Sequence, residues 1–257
     1  MSDFLLAYPN RLPTDVFGRI LTPILNGAKS SNATVRSQSG RLFAVLVDRE
    51  GTEDVAMSLA VVELAALPKA GKTTGADHRI ALYGMLRSVK PTLTVASTII
   101  STLPSLLTKE TNDFASSLLA QTLAPHIAFR LRENQAVDPD VTSVIVRDMS
   151  GPKPALRRAF CTIAGNALWH LGNDPTDAAR QFATAVFPAF ETNLKTISAN
   201  PLNSVAGPLE GYVALAVLLG PGFRLQIPKY GEVALSLYLC SLQRRLDGTC
   251  DRDMSRR

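Results

Sequence analysis

The chain has 257 residues, of which 46% are apolar, 19% charged and only 6% aromatic. That balance excludes wholesale disorder and fits a folded protein with an aliphatic interior large enough for one large or two small domains. The net charge of +5 and the pI of about 9.3 permit contact with nucleic acid or acidic protein without demanding either.

In chain order, the first helical segment runs from Val16 to Leu25 and contains Leu21-Thr22-Pro23-Ile24-Leu25 near its end. Val35 to Val47 follows, with Val35, Leu42, Phe43, Leu46 and Val47 on one helical stripe. Asp54 to Lys69 is the next helix, opened by Thr52 and the acids Glu53 and Asp54 and containing Leu67-Pro68. Ile80, Leu82, Tyr83 and Leu86 mark its partner. Leu93 to Leu107 contains Leu103-Pro104, and Phe114 to Leu131 then repeats apolar residues at spacings of three and four, capped by Asn112. A short helix is read over Asp140 to Met149, and another from Leu156 to Leu171 that carries Phe160 and Trp169 as core residues. Asp174-Pro175 opens Thr176 to Ile197, which contains Phe187-Pro188-Ala189-Phe190; Val213 to Leu219 and Val233 to Leu242 close the series. Gly71, Gly151, Gly207 and Gly220 fall in the gaps, where helix-ending conformations favour glycine. Sustained alternation of apolar and polar residues, the mark of a strand, does not occur.

Four of these segments carry a proline near their end, among apolar residues. The prolines stand at 23, 68, 104 and 188, separated by 45, 36 and 84 residues, and the last gap fits two repeats if Asp140 to Met149 is a short unit without the proline. A period near forty residues is that of helix-pair solenoids of the HEAT and armadillo type. The predicted architecture is therefore an all-α HEAT-type solenoid of antiparallel helix pairs, about five pairs plus a terminal helix, spanning residues 1–246. Residues 247–257 form a flexible basic tail with no apolar periodicity.

Signals of chemistry are weak. Gly71-Lys72-Thr73 lacks the glycine that a phosphate-binding loop needs at position 66, which is Ala, and it follows a proline-ended helix instead of a strand. Asp77 next to His78 is a combination that acid–base chemistry can use only with a nucleophile or metal beside it, and His126 and His170 lie within apolar helices. Cys161, Cys240 and Cys250 form no CxxC pair, which points to reduced thiols and a cytoplasmic setting. No signal peptide is evident at the N-terminus, the apolar runs are too short to cross a membrane, and the Asn32-Ala33-Thr34 sequon is expected to be unused. No catalytic residue, metal, cofactor or small-molecule substrate is assigned.

The basic residues are the candidate surface. Arg147, Lys153, Arg157 and Arg158 cluster around Gly151-Pro152, and Lys72, Arg79, Arg87 and Lys90 lie in or beside the second pair. In a solenoid the loops line up along edges, so such charges from successive repeats can form a ridge facing RNA phosphates or an acidic protein. Exposed aromatics for base stacking are not evident.

The stretch Gly71-Lys72-Thr73-Thr74-Gly75-Ala76-Asp77-His78-Arg79-Ile80-Ala81-Leu82-Tyr83-Gly84-Met85-Leu86 resembles part of the N-terminal region of the general-control translational activator family, in a fungal version. The resemblance implies a piece of a very large ribosome-bound HEAT-repeat scaffold without enzymatic activity. That scaffold acts with an ABC-type ATPase and promotes activation of the kinase of initiation factor two alpha in amino-acid starvation. Two further readings stand beside it: a protein-only adaptor that docks an extended peptide, and a helical enzyme.

Overall fold

Wherever the chain is described, the apolar stripes read from the sequence fold as α-helices. The computed structural model describes residues 13–48, 75–169 and 176–195, together with Ala56, Ala60 and Leu171. Among these residues there are eight helices and no strand: α1 (Thr14–Gly27), α2 (Ala33–Val47), α3 (Ala76–Leu86), α4 (Leu93–Lys109), α5 (Asp113–Arg132), α6 (Pro139–Met149), α7 (Pro154–Trp169) and α8 (Asp177–Lys195). Ala56 and Ala60, both helical and fully buried, fall in the predicted Asp54 to Lys69 helix. The rest of that helix, the two predicted helices beyond residue 200 and the tail lie outside the described residues.

Local chemistry sets the helix starts. Side-chain oxygens of Thr92, Asn112 and Asp138 accept first-turn amide hydrogens of α4, α5 and α6, each satisfying a donor that the helix itself leaves unpaired. Asn32 does the same for α2, accepting from Thr34 at 2.8 Å and Val35 at 3.4 Å. The glycosylation-like triplet is thus a helix cap. Thr176, next to the expected Asp174-Pro175 opening, accepts from the Ala179 amide at 3.2 Å to start α8. Prolines lie inside α1, α4 and α8 as predicted, and a fourth, Pro125, lies inside α5. After α5 the chain turns through Asn134 at φ 51, a left-handed conformation that asparagine tolerates, and the Asn134 side chain accepts from the Ala178 amide at 3.1 Å.

Packing mainly joins helices next to each other in sequence and helices two apart, with α8 also reaching α5. α1 packs on α2, α4 on α5 and α6 on α7; α5 also packs on α3 and α7, and α6 on α4 and α8. Two rows result, one of α2, α3, α5 and α7 and one of α4, α6 and α8. Within a pair the helices run antiparallel, as Arg130 near the end of α5 donates to Ser97 near the start of α4 at 2.8 Å. One continuous core fills the space between the rows, anchored by Phe17, Phe43, Phe160 and Phe190, all essentially inaccessible. Burying side chains of this size contributes about 1.5–3 kcal/mol each before conformational entropy is set against it.

Two predicted core aromatics are not in the core. Trp169 is 57% exposed at the end of α7 and Phe114 is 61% exposed at the start of α5. Each stands on a terminal turn, where the stripe outruns the neighbouring helix that covers its middle.

Candidate functional site

Hydrogen bonds between helix ends divide the connections into two opposite edges. On the first edge Arg36 at the start of α2 pairs with Asp77 at the start of α3 at 2.7 Å. There too Arg79 reaches Glu110 in the α4–α5 connection, and Thr108 at the end of α4 donates to Asp148 at the end of α6 at 2.8 Å. On the second edge Lys90 after α3 pairs with Asp48 after α2 at 2.7 Å, and Asn134 after α5 meets the start of α8.

The predicted basic residues divide between these edges and do not form one ridge. Arg147, Lys153, Arg157 and Arg158 lie on the first edge, where α6 turns into α7. Arg87 and Lys90 lie on the second, among the exposed acids Asp48, Glu133, Asp138 and Asp140. Arg87 donates to Gln121 of α5 at 2.8 Å, and Lys90 draws the Asp48 carboxyl below its ordinary range. Lys72 and the phosphate-loop-like triplet lie outside the described residues.

Arg79 corrects the expectation of a surface role. It is 4% exposed, and its guanidinium donates to both oxygens of Glu110, at 2.9 and 3.1 Å. Glu110 also accepts from the backbone amides of Thr111 and Asn112, each at 3.0 Å. Burial would raise the Glu110 pKa, but Arg79 and these two amides outweigh it and hold the carboxyl below its ordinary value. A cation so enclosed has no face left for a partner.

The first-edge cluster is better defined than its sequence implied. Asp148, mostly buried, accepts from Arg147 at 2.8 and 3.0 Å and from Thr108. Burial acts to raise its pKa; hydrogen bonds from Arg147 and Thr108 and the nearby charges of Arg147 and Lys153 more than reverse this. Arg157 donates to the Gly151 carbonyl at 3.0 Å, which fixes its guanidinium over the turn. The Thr108–Asp148 bond joins the end of α4 to the end of α6, so exposed Lys109 lies on the same edge as Arg147. Lys109 escaped the sequence reading because it ends a different helix, thirty-eight positions from Arg147. One buried aspartate thus holds Arg147 and faces the charge of Lys153 at a turn that also fixes Arg157, with exposed Arg158 next to it in sequence, an arrangement suited to a partner with several spaced negative charges.

Other candidate groups are spoken for or enclosed. Asp77 is engaged by Arg36. His126 is buried in α5 with its Nδ1 unpartnered, and burial pushes its pKa down to about 4. Burial pushes the Cys161 thiol up to about 12, against a smaller opposing effect of Arg157. Among the described residues no His, Cys, Asp and Glu side chains converge in a metal-holding group, and no helix is long and apolar enough to cross a membrane.

Recurrent helix pairs packed in rows place the chain, by fold, among helical-repeat proteins. The family model described as General control nonderepressible 1 (Gcn1) N-terminal matches residues 76–232, and the chain belongs to that family. The match begins at α3 and takes in the whole first-edge cluster. It links the chain to Gcn1-related translational regulation through a helical region not known as a catalytic domain. No curated protein and no solved structure matches the chain.

Proposed function

We propose that the chain is a non-enzymatic scaffold segment of a cytoplasmic, ribosome-associated translational activator. In this reading residues 1–246 form a HEAT-type α-solenoid and 247–257 a tail whose three arginines are balanced by three aspartates. The segment acts by position. It helps to hold the kinase of initiation factor two alpha near ribosomes during amino-acid starvation, together with an ABC-type ATPase partner recruited through the rest of a longer protein. The two rows of helices and the antiparallel pairing support the solenoid, and family membership supports the translational setting.

The observation that supports ribosome contact is the occurrence of Lys109, Arg147, Lys153, Arg157 and Arg158 on one edge, with Arg147 held by Asp148 and Arg157 by the Gly151 carbonyl. Cations held at fixed spacing release counterions when they meet RNA phosphates, so binding through them weakens steeply with salt. Arg87 and Lys90 on the opposite edge are secondary in this reading, and Arg79 has no part in it.

The test is co-sedimentation of the chain with ribosomes over a range of salt. Reversal of Lys153, Arg157 and Arg158 to Glu is expected to lower ribosome binding at least tenfold and to flatten its salt dependence. Unchanged sedimentation of that triple variant removes the first edge from the account. Pull-down of proteins that survives nuclease treatment, with no ribosome binding at all, favours a protein-only adaptor.

A further inference from the structure

α3 is flanked in its row by α2 and α5, and over it lies an open groove of about 370 Å³. Asp77, Ala81 and Gly84 of α3 line it, with Arg36 and Gly40 of α2 on one side and Leu118 of α5 on the other. Gly40 and Gly84 stand inside helices, where glycine is among the poorest residues. A Cβ at either position meets nothing within 4 Å, so packing inside the chain does not require them. Their effect is to leave the groove clear from two facing helices, which lets a second backbone approach.

Charge distinguishes the two ends. Arg36 gives its Nη1 to the Ser30 and Ser31 carbonyls, both at 2.9 Å, and its Nη2 to one oxygen of Asp77. Its hydrogen-bonding capacity is largely committed. The Asp77 side chain remains 66% exposed with its second oxygen unengaged, so the solvent-facing group of this pair is a carboxylate oxygen able to accept from a second cation. From Asp77 to Gly84 the helix rises about 10 Å, the length of roughly three residues of extended chain. Exposed Phe114 stands one turn before Leu118 on α5, outside the groove lining. Gln121, one turn beyond Leu118 on that side of α5, meets Arg87 of α3.

We propose that this groove docks an extended segment of a partner polypeptide, with a Lys or Arg against Asp77 and small apolar side chains over Gly40, Ala81 and Gly84. The groove is distinct from the cationic patch at the α6–α7 turn, and its exposed acid disfavours nucleic acid. The inference goes beyond the scaffold function proposed above and does not depend on it.

The experiment is fluorescence anisotropy of the full chain with two pools of fluorescein-labelled hexapeptides. One pool carries an arginine followed by alanine, valine and leucine, and the other carries glutamate in place of the arginine. Saturable binding of the arginine pool is expected, at least tenfold tighter than the glutamate pool. Gly84→Leu fills the groove and is expected to abolish that binding while the melting temperature holds, because the added side chain enters open space. Asp77→Asn is expected to weaken it about threefold, the range of a single exposed charge pair. If Gly84→Leu does not fold, Gly40→Met tests the same blockage from α2. Absence of saturable binding at millimolar peptide, equal binding by the folded groove-filling variant, or displacement of the peptide by oligouridylate overturns the proposal.

Discussion

Arg79 and Glu110 lie thirty-one residues apart in sequence and meet as a bidentate ion pair whose side chains are 5% and 0% exposed. The pair ties the start of α3 to the connection between α4 and α5, and the Tyr83 hydroxyl lies 3.4 Å from the same carboxylate. Burial, and secondarily the Glu110 charge, push that hydroxyl well above its ordinary pKa, so it stays protonated as a donor. Two adjacent helix pairs are held in register by one enclosed charge pair.

Removing the cation leaves a buried carboxylate with the Thr111 and Asn112 amides and the distant Tyr83 hydroxyl for partners, but no counter-charge. Arg79→Met is therefore expected to lose about 3–5 kcal/mol at pH 7 in urea unfolding. Adding Glu110→Gln, which keeps an acceptor for both amides but no charge, is expected to recover more than half of that loss. Acid narrows the difference. The folded Glu110 pKa lies below its ordinary 4.5, so its stabilisation is complete above 4.5 and is lost as pH falls through the folded value. A gap between wild type and Arg79→Met that stays constant from pH 7 to pH 3 contradicts this assignment.

His126 imposes a pH dependence at a higher range. Its folded pKa of about 4 lies below the ordinary 6.5, because burial disfavours the charged ring. Between those values the unfolded chain takes up a proton that the folded chain refuses, so stability falls as pH drops from 6.5 toward 4 and then levels. The total for this group is about 3 kcal/mol. His126→Leu also removes the unpartnered Nδ1 and is expected to flatten the stability profile over that window. Urea midpoints at pH 7, 5.5 and 4 for both proteins provide the comparison.

Helices were legible in the sequence because each needs only its own stripe and cap. Asn112 and the run from Phe114 to Leu131 defined α5 to within a residue at either end. Which residues the stripe buries was less legible, since α5 touches α3, α4, α7 and α8 and is covered on several sides, yet its first turn leaves Phe114 in the open. Arg79 read as surface because a charged residue near a loop usually is; only the fold brings Glu110 to it. The basic ridge failed for a similar reason. Spacing identifies loops but not the edge each occupies, and the hydrogen bonds Arg36–Asp77 and Lys90–Asp48 place the two ends of α3 on opposite edges.

Cys161 is a reporter of opening in the Gcn1 family region. It is fully buried, its Sγ lies 4.0 Å from the Met149 carbonyl, and burial holds the thiol near 12, so the reactive thiolate is almost absent at neutral pH. Alkylation by iodoacetamide at pH 8, read at this position by peptide mass mapping, is expected to be negligible in the native chain. In urea it should be fast. Rapid native labelling of Cys161 would show that α7 separates from α6 far more readily than this packing allows.

Two glycines give opposite forecasts for the same substitution. At Gly27, the last residue of α1, an added Cβ lands 2.0 Å from the Ser39 Oγ and 3.0 Å from the Ser39 Cβ. Ser39 is itself buried on α2, so neither atom has room to retreat. Gly27→Ala is expected to cost about 1–3 kcal/mol through overpacking of the α1–α2 contact. Gly40 stands one residue further along α2, where a Cβ meets nothing, and Gly40→Ala is expected to gain about 0.5–1 kcal/mol by restricting the unfolded chain and favouring the helix. Thermal unfolding of the two variants should thus move in opposite directions. Combining Gly27→Ala with Ser39→Gly removes the colliding hydroxymethyl group and should restore most of the first loss beyond the glycine's own helix cost. A drop in stability that persists undiminished in the double variant would mean that α1 and α2 do not meet at Gly27 and Ser39.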